Sequence, residues 1–252
     1  MVAPLFFSQN LGELSVGSTF RLDGDEGKHA ANVRRMRVGE EIQLSDGNGL
    51  RVNGLVSSVE TGAVGVNIVS ISHEDLPALQ LTLVQALAKG DRDELAVQAA
   101  TELGAVAVIP WQASRSVSRW DGPKQAKGQA RWQTIATEAA KQSLRVFSPS
   151  VSTIVSTSEL ANLVSNFDQV LVLDPTAKVS LVDTSISGRV AIVVGPEGGI
   201  EPAELALLEK AGAARVHLGS GILRTSTAGL AAISYLVGVG GHWNARGIDL
   251  EA

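Results

Sequence analysis

Residues 190–236 constrain the fold of this chain more than any other stretch of the sequence. The stretch begins with an apolar run, 190–194, that is long enough for a strand buried on both faces. Residues 195–199, GPEGG, then let the backbone turn sharply and leave room for a ligand to approach it. Pro202 suits the first turn of a helix, and Gly212 follows the last apolar turn of that helix. The pattern predicts a strand, a glycine turn and a helix in succession.

A second strand, loop and helix follow in the same stretch. Residues 214–218 read as a strand, and residues 219–221, GSG, form a sharp loop before a helix rich in Ala and Gly that Thr225 or Ser226 could cap. Both loops would lie at the C-terminal ends of strands in one sheet, where α/β folds bind small ligands. An ordinary glycine turn explains either loop alone, but two loops so close together favour a binding site.

The rest of the sequence divides at a polar hinge, residues 73–77. Before the hinge, short or alternating apolar runs predict a small β domain, 1–73, with strands at 19–22, 41–44, 50–59 and 64–71. One helix is predicted there at 25–36, with Asp23 or Asp25 as its N-cap.

After the hinge, residues 74–252 alternate helical segments with short apolar strands. This order predicts an α/β fold with a mostly parallel sheet and helices on both faces. The predicted strands are 79–86, 105–109 and 169–173, and the predicted helices are 91–103, 124–144 and 158–164. Pro110 is expected to end the second of these strands, and residues 244–252 are expected to fray.

The composition excludes several classes of site. The absence of cysteine excludes disulfides, thiolate metal sites and a cysteine nucleophile, and four scattered histidines show no metal-ligand spacing. No apolar run is long enough for a membrane span, and the first residues do not resemble a signal peptide. We therefore expect a soluble cytoplasmic protein with no metal and no membrane partner.

The charge of this chain is segregated, although the net charge is only −5. Residues 115–145 contain seven basic and two acidic residues, and a second basic cluster comprises Lys28, Arg34, Arg35 and Arg37. Such clusters could contact RNA phosphates, while cations at the end of the predicted helix 25–36 would equally complement its dipole. The tryptophans in or beside the first cluster, Trp111, Trp120 and Trp132, could stack on bases or belong to the core.

Three common ligand-binding motifs do not fit the glycine loops. The GPEGG segment has the wrong spacing and position for the dinucleotide fingerprint G-x-G-x-x-G, and no P-loop sequence occurs. Ser220 lies one step from each flanking glycine, which excludes the hydrolase elbow G-x-S-x-G.

The glycine loops instead resemble the C-terminal signature of the RsmE family. The matching residues are the GPEGG segment, Leu218-Gly219, Ile222-Leu223-Arg224-Thr225 and Thr227-Ala228. Collinear upstream blocks are similar to the same family: His29, Val33–Arg37 and Gly39, Asp46-Gly47, Lys89–Arg92, Thr101–Gly104, Arg115-Ser116, and Glu138–Arg145 with Pro149. Two positions depart from the family pattern, since Arg34 replaces Leu and Ser226 replaces the usual Glu.

The resemblance implies a fold and an activity. Members are SPOUT-superfamily methyltransferases that modify N3 of a uridine in 16S ribosomal RNA of the small ribosomal subunit. Residues 1–73 would form a PUA-like β-barrel that binds RNA, and 74–252 a SPOUT domain with a C-terminal trefoil knot. S-adenosylmethionine would lie in the knot. The small residues Ala228, Gly229, Ala231 and Ala232 would allow close packing in the knot and in a homodimer.

The expected donor site combines the two glycine loops with the end of the strand 169–173. Its candidate residues are Leu171, Val172, Leu173, Gly195, Pro196, Glu197, Gly198, Gly199, Leu218, Gly219, Ile222, Leu223, Thr225, Thr227 and Ala228. Glu197 could equally serve only to stabilise the turn. The candidate RNA contacts are His29, Arg34, Arg35, Arg37, Arg115, Arg119 and Arg145.

Arg224 is the candidate catalytic residue, because a guanidinium could stabilise the charge that develops on uracil as N3 loses its proton. The alternative is an arginine that braces the loop or binds a phosphate. No residue is a clear general base. The rival functions are a non-catalytic RNA-binding protein that retains the SPOUT fold and a nucleotide-binding oxidoreductase.

Overall fold

The computed structural model describes residues 2–244, and these residues form two compact units. The first unit comprises residues 2–76 together with Ala140–Ser148, and the second comprises Pro77–Ala139 together with 149–244. The division into domains after residue 73 stays a prediction. Most of the predicted fraying tail, 244–252, lies outside the described residues.

The first unit is built on a five-stranded sheet in the order β1-β3-β4-β5-β2. Its strands are β1 (Leu5–Phe7), β2 (Thr19–Leu22), β3 (Glu41–Ser45), β4 (Leu50–Glu60) and β5 (Ala63–His73). Only β1 and β3 run parallel, and the long β4–β5 pair changes register at Asn53/Gly54 and Val56/Ser58, where bulges bend the strands. Strand β1 was not predicted from the sequence, because three residues are too few to show an alternating pattern.

The predicted helix 25–36 is shorter than expected. Helix α1 (Gly24–Lys28) has Asp23 as its N-cap and continues as a π-helical turn, His29–Val33. Residues 34–36 leave the helix, and Arg35 adopts a positive φ of 54°. The basic residues Arg34, Arg35 and Arg37 therefore lie on an exposed loop after the helix.

Polar bonds connect the two parts of the first unit, residues 2–76 and Ala140–Ser148. Lys141 Nζ lies 2.6 Å from Glu26 Oε1, and the Lys141 side chain is only 4% exposed. Ser45 Oγ donates to the Val146 carbonyl at 3.1 Å, and Arg51 Nη2 donates to the Leu144 carbonyl at 3.1 Å. The sequence does not reveal this attachment, since Lys141 reads there as one more cation of the basic stretch.

The second unit contains a parallel sheet in the order β11-β13-β10-β12-β6-β7-β8, and β9 also pairs with β7. Its strands are β6 (Gln80–Ala86), β7 (Ala107–Gln112), β8 (Ser150–Val151), β9 (Val155–Ser156), β10 (Gln169–Leu173), β11 (Val179–Ser180), β12 (Arg189–Val194) and β13 (Ala214–His217). The helices are α2 (Arg92–Leu103), α3 (Pro123–Gln142), α4 (Thr157–Leu163), α5 (Pro202–Lys210) and α6 (Thr225–Val239). The predicted α/β fold is confirmed.

Both faces of the second sheet are covered, as the apolar strand pattern predicted. In β12, Val190, Ile192 and Val194 face a cluster shared with α2 and α6, whereas Ala191 and Val193 face a cluster shared with α4 and α5. Strand β12 lies between β10 and β6, although both precede it in the chain. The trefoil knot stays a prediction.

Two local predictions in the second unit are wrong. Pro110 lies within β7 instead of ending it, because the ladder with β8 stops at Val108 and that with β9 begins at Trp111, so no pair on that side needs the missing N–H. The N-cap of α6 is Arg224, not Thr225 or Ser226, because the hydroxyl of Thr225 is engaged elsewhere.

The core alternative for the tryptophans is supported. Trp111 and Trp132 are 0% and 1% exposed, and Trp120 packs edge-on against Trp132 with ring centroids 5.0 Å apart. Among the described residues, no helix is long and apolar enough to cross a membrane, and no group of side chains could hold a metal ion.

Replacing Leu81 by Ala should destabilise the second unit by about 2–5 kcal/mol, because Leu81 is fully buried between the sheet and its helices. Tryptophan fluorescence during urea unfolding measures this, since all four tryptophans lie in the second unit. Leu95→Ala, at a position on α2 that is 53% exposed, is the matched control and should cost less than about 0.5 kcal/mol. Equal losses in the two variants would contradict the assigned core.

Candidate functional site

The neighbouring strands β13, β10 and β12 run parallel and end at the same edge of the second sheet. A cavity of about 770 Å³ opens there, between the loops that follow the three strands. Its lining residues come from the ends of these strands, both glycine loops, the start of α5 and the start of α6. The predicted juxtaposition of the two loops is therefore present.

Most of the predicted donor-site residues line this cavity. They are Leu173, Gly195, Pro196, Glu197, Gly199, Leu218, Ile222, Leu223, Thr225 and Ala228. Leu171 and Val172 are buried behind it in β10, while Gly198, Gly219 and Thr227 do not contribute to its lining. The sequence could not separate these groups, because neighbouring residues of one loop point in different directions.

The glycine turn after β12 needs glycine for two reasons: a neighbouring side chain lies close to its first residue, and its last residue has a positive φ. A Cβ at Gly195 would lie 2.6 Å from Ile200 Cγ1, so no larger residue fits there without a shift. Gly199 has a φ of 73°, which other residues rarely adopt, and a Cβ there would meet nothing within 4 Å. The turn is thus tight at its start and open toward the cavity at its end.

Glu197 braces the turn from the side of β6. Its Oε1 accepts hydrogen bonds from the Lys89 backbone N–H at 3.0 Å and from Arg92 Nη1 at 3.1 Å. Burial raises the pKa of the Glu197 carboxyl, but its bonds to backbone N–H groups and to Arg92 outweigh burial, so the pKa is lowered overall. These bonds support turn stabilisation as the role of Glu197.

Arg115 braces the same turn from the side of β7. Its Nη1 donates to the Gly198 carbonyl at 3.2 Å, and its Nε donates to Glu201 Oε1 at 3.2 Å. Arg115 also lines the cavity, together with Arg92. The sequence suggested Arg115 as an RNA contact, and the structure places it at the rim of the cavity with two protein partners.

Asp174 is a buried cavity residue that was not among the predicted site residues. Its Oδ2 accepts from Arg215 Nε at 2.7 Å, and its Oδ1 accepts from the Thr176 backbone N–H at 2.9 Å. Burial raises the pKa of the Asp174 carboxyl, but the bonds from Thr176 and Arg215 outweigh burial and lower the pKa overall. The signal that could have identified it is its position directly after strand β10.

Thr225 joins the two glycine loops. Its hydroxyl donates to the Gly195 carbonyl at 2.8 Å and accepts from Gln85 Nε2, also at 2.8 Å. Thr225 is 6% exposed and is the first residue of α6. The start of the last helix is therefore tied to the end of β12.

Arg224 lies at the N-cap of α6 and lines the cavity. Its carbonyl accepts from the N–H groups of Thr227 and Ala228, both at 2.9 Å, which fixes its backbone. Its side chain is exposed, and within residues 2–244 it forms no ion pair. It differs in this from Arg92 and Arg115.

The predicted RNA contacts differ in exposure. Arg34, Arg35, Arg37 and Arg119 are exposed, whereas His29 is half-buried and packs edge-on against Phe6 with ring centroids 5.7 Å apart. Arg145 is half-buried as well, and burial lowers its pKa despite the nearby Glu74. Its Nε has no hydrogen-bond partner in the part of the chain that the structure describes.

Comparison with known proteins identifies the family of this chain. Residues 74–237 match the RNA methyltransferase domain, and residues 22–67 match the RNA methyltransferase PUA domain. Over its full length the chain is 40% identical to the ribosomal RNA small subunit methyltransferase E of Mycobacterium bovis and covers 97% of that protein. The chain belongs to the ribosomal RNA small subunit methyltransferase E family. The predicted family and the PUA domain are confirmed.

Solved structures of family members and similar proteins share the fold. The ribosomal RNA small subunit methyltransferase E of Neisseria gonorrhoeae, bound to S-adenosyl methionine, is 33% identical, with a TM-score of 0.85 and coverage of 94% of this chain and 98% of the other. A putative methyltransferase from Legionella pneumophila, in complex with the bound cofactor SAM, is 28% identical, with a TM-score of 0.86 and coverage of 95% and 98%.

The brace at Glu197 predicts a pH-dependent contribution to stability. Because the folded-state pKa is lowered, the contribution should be complete above the ordinary glutamate pKa of about 4.3 and should disappear as pH falls through the lower folded value. The melting temperature of Glu197→Gln should therefore lie below that of the unchanged protein near neutral pH, and the difference should shrink in acid.

Asp121→Asn is the control, because Asp121 is exposed and lies outside the glycine turn. Its melting temperature should follow that of the unchanged protein at every pH. A difference for Glu197→Gln that grows as the pH falls would contradict the brace.

Proposed function

We propose that this protein transfers the methyl group of S-adenosylmethionine to N3 of a uridine in 16S ribosomal RNA, and that the cavity beside β10, β12 and β13 holds the donor. One observation carries the proposal: both glycine loops converge on a single cavity together with Arg224, which forms no ion pair within residues 2–244. The family membership of the chain, and the S-adenosyl methionine bound to the Neisseria gonorrhoeae protein, support the choice of donor.

The residues of the cavity fit such a donor. Its volume of about 770 Å³ falls within the range of about 300–1,000 Å³ that is usual for small-molecule sites. Leu173, Val216 and Leu218 supply apolar walls, while a Cβ at Gly199 or Gly221 would meet nothing within 4 Å, so a ligand can approach the backbone there. We assign donor contacts to the predicted residues that line the cavity, and a supporting role to Leu171 and Val172.

Arg224 is the residue we assign to catalysis. When bound, S-adenosylmethionine supplies an electrophilic methyl group. N3 of uracil carries a proton and becomes nucleophilic when that proton leaves, and the negative charge then spreads onto the two carbonyl oxygens. The Arg224 guanidinium stays protonated and offers paired N–H donors, so it can stabilise that charge and make the proton easier to remove.

The other titratable groups of the cavity are poorly placed to act as a base. His217 Nδ1 accepts the Gly219 N–H at 3.0 Å, so this nitrogen is already engaged. The carboxyls of Asp174 and Glu197 have lowered pKa values and are engaged by arginines. Among the described residues that line the cavity, none is therefore assigned as the base.

RNA binding is assigned to the exposed cations. Arg34, Arg35 and Arg37 lie on one loop of the first unit, beside the exposed Val33 and Val38, and Arg119 is exposed in the second unit. Arg115 already has two protein partners, so a phosphate contact would have to compete with them. We assign His29 and Arg145 a supporting role in RNA binding, since both are half-buried.

The assembly and location follow from the same proposal. We propose a homodimer and action in the cytoplasm, on the small ribosomal subunit or its RNA. Of the small residues of α6, Gly229 and Ala232 are buried, while Ala231 is exposed and available to a second subunit. We propose the trefoil knot because the chain resembles the RsmE family, whose members are SPOUT-superfamily enzymes.

A methyl-transfer assay tests the proposed function. The purified protein should place labelled methyl groups from S-adenosylmethionine on 16S ribosomal RNA or small subunits from a strain that lacks the enzyme, and nucleoside analysis should identify N3-methyluridine. Arg224→Ala should lower the turnover by about 10²–10³-fold, because a donor to the developing charge is lost. Calorimetry should show donor affinity close to that of the unchanged protein.

Arg189→Ala is the matched control, because Arg189 is exposed at the opposite end of β12 and pairs with Asp168. Its turnover should stay unchanged. Near-normal turnover of Arg224→Ala would reject the role of Arg224. RNA binding without any methyl transfer by the unchanged protein would favour the non-catalytic RNA-binding alternative.

Replacing Arg34, Arg35 and Arg37 by Gln should weaken RNA binding and flatten its dependence on salt. Each lost phosphate contact on single-stranded RNA should reduce the slope of log K against log salt by about 0.7, or about 2 in all. Fluorescence anisotropy at several salt concentrations measures the slope. Lys210→Gln, an exposed cation in the last turn of α5, is the control and should leave it unchanged, whereas an unchanged slope in the triple variant would contradict the contacts.

A further inference from the structure

Gln85 is a fully buried polar residue that neither the cavity lining nor the family signature includes. It is 0% exposed in β6, and its register partner in β12 is Val194, the residue before Gly195. Its neighbour Val84 packs toward α4 and α5, so the alternation of the strand directs Gln85 toward α6. Gln85 therefore lies between the glycine turn and the start of the last helix.

A short chain of hydrogen bonds connects these elements. Gln85 Nε2 donates to the Ala86 carbonyl at 3.0 Å and to Thr225 Oγ1 at 2.8 Å, and the Thr225 hydroxyl donates to the Gly195 carbonyl at 2.8 Å. This series of hydrogen bonds ends at a carbonyl on each side, Ala86 and Gly195, and a carbonyl can only accept. The direction of every bond is therefore fixed, and each hydrogen of the amide and of the hydroxyl is used.

The buried Gln85 side chain is less favourable for folding than an apolar side chain would be. Gln85 Oε1 is buried and has no hydrogen-bond partner among the described residues, and such an orphaned acceptor disfavours folding. A leucine at this position would avoid that cost. A leucine could not donate the hydrogen bond to the Thr225 hydroxyl. Because the hydroxyl accepts that bond on one side, it is left a single direction in which to donate.

We propose that Gln85 is a positioning residue for methyl transfer: by orienting the Thr225 hydroxyl onto the Gly195 carbonyl, it fixes Arg224 relative to the glycine turn. This inference rests on the proposed function, since the turn and Arg224 would hold the donor and the uracil. Arg224 directly precedes Thr225, so a shift of the helix start would move the guanidinium relative to the donor. Small displacements of reacting groups slow catalysis strongly.

The test compares two substitutions of the same kind. Gln85→Met keeps the length of the side chain and removes its hydrogen bonds. Gln133→Met is the matched control, because the amide of Gln133 bonds to the Pro149 carbonyl and the Val151 N–H, both at 2.9 Å, away from the cavity. Melting temperature, donor affinity, turnover and amide hydrogen exchange are measured for both variants.

The expected result is specific to Gln85. Gln85→Met should lower the turnover by roughly tenfold or more, with a much smaller change in donor affinity. Without donor, hydrogen exchange should quicken at residues 195–199 and 225–228 together. Gln133→Met should lower the melting temperature but change neither the turnover nor exchange at these segments.

Variants of Thr225 complete the test. Thr225→Val removes the hydroxyl at nearly constant shape, and Thr225→Ser retains it, so the serine variant should keep more of the turnover than the valine variant. Because Gln85 acts through this hydroxyl, Gln85→Met combined with Thr225→Val should be no slower than the slower single variant. Multiplied losses in the double variant, or unchanged exchange in Gln85→Met, would overturn the proposal.

The experiments can reject the proposed function and the role of Gln85 independently of each other. If the unchanged protein transfers no methyl group while Gln85→Met still quickens exchange at both segments, the proposed function is rejected and the connection between Gln85 and the two loops stands. If the unchanged protein is active and Gln85→Met matches Gln133→Met in every measurement, Gln85 is only structural and the inference is overturned.

Discussion

The hydrogen bond from the Thr225 hydroxyl to the Gly195 carbonyl joins two loops that are separated in the chain by α5 and β13. It is possible because β12 lies beside β6 in the sheet, so that the end of β12 and Gln85 both face the start of α6. Both loops that this bond connects contribute to the lining of the cavity. The contact holds Gly195, the first residue of the glycine turn, and Thr225, the residue after Arg224.

The charges around the cavity divide into two groups. Glu197 and Asp174 are each bonded to an arginine and to backbone N–H groups, and their pKa values are lowered. Such carboxylates hold loops in place and have little tendency to take up a proton near neutral pH. The backbone of Arg224 is held by two hydrogen bonds to its carbonyl, and its guanidinium forms no ion pair within residues 2–244. The bracing residues thus surround Arg224, the cation for which we propose a catalytic role.

The cations of the basic stretch 115–145 fall into two groups, those bonded within the protein and those exposed. Lys141 is buried against Glu26, Arg115 holds the glycine turn, and Arg131 pairs with Glu94. Arg119, by contrast, is exposed, as are Arg34, Arg35 and Arg37 in the first unit. A count of cations along the chain therefore overstates the surface that RNA can contact, because arginine and lysine serve internal bonds as readily as phosphates.

The sequence by itself predicted most of the helices and strands and the residues of both glycine loops. The apolar runs and glycines of residues 190–236 predicted both loops, and the residues of the motifs carried the resemblance to the family, because these signals are local and need no neighbour. Only the tertiary structure decided which side chains work together. Asp174 and Arg92 line the cavity, and Gln85 lies behind it, because the strand order places β12 between β6 and β10. Thr225 links the two loops and is not the helix cap. The physical reason is that a hydrogen bond depends on distance in space, whereas a sequence pattern records only distance along the chain.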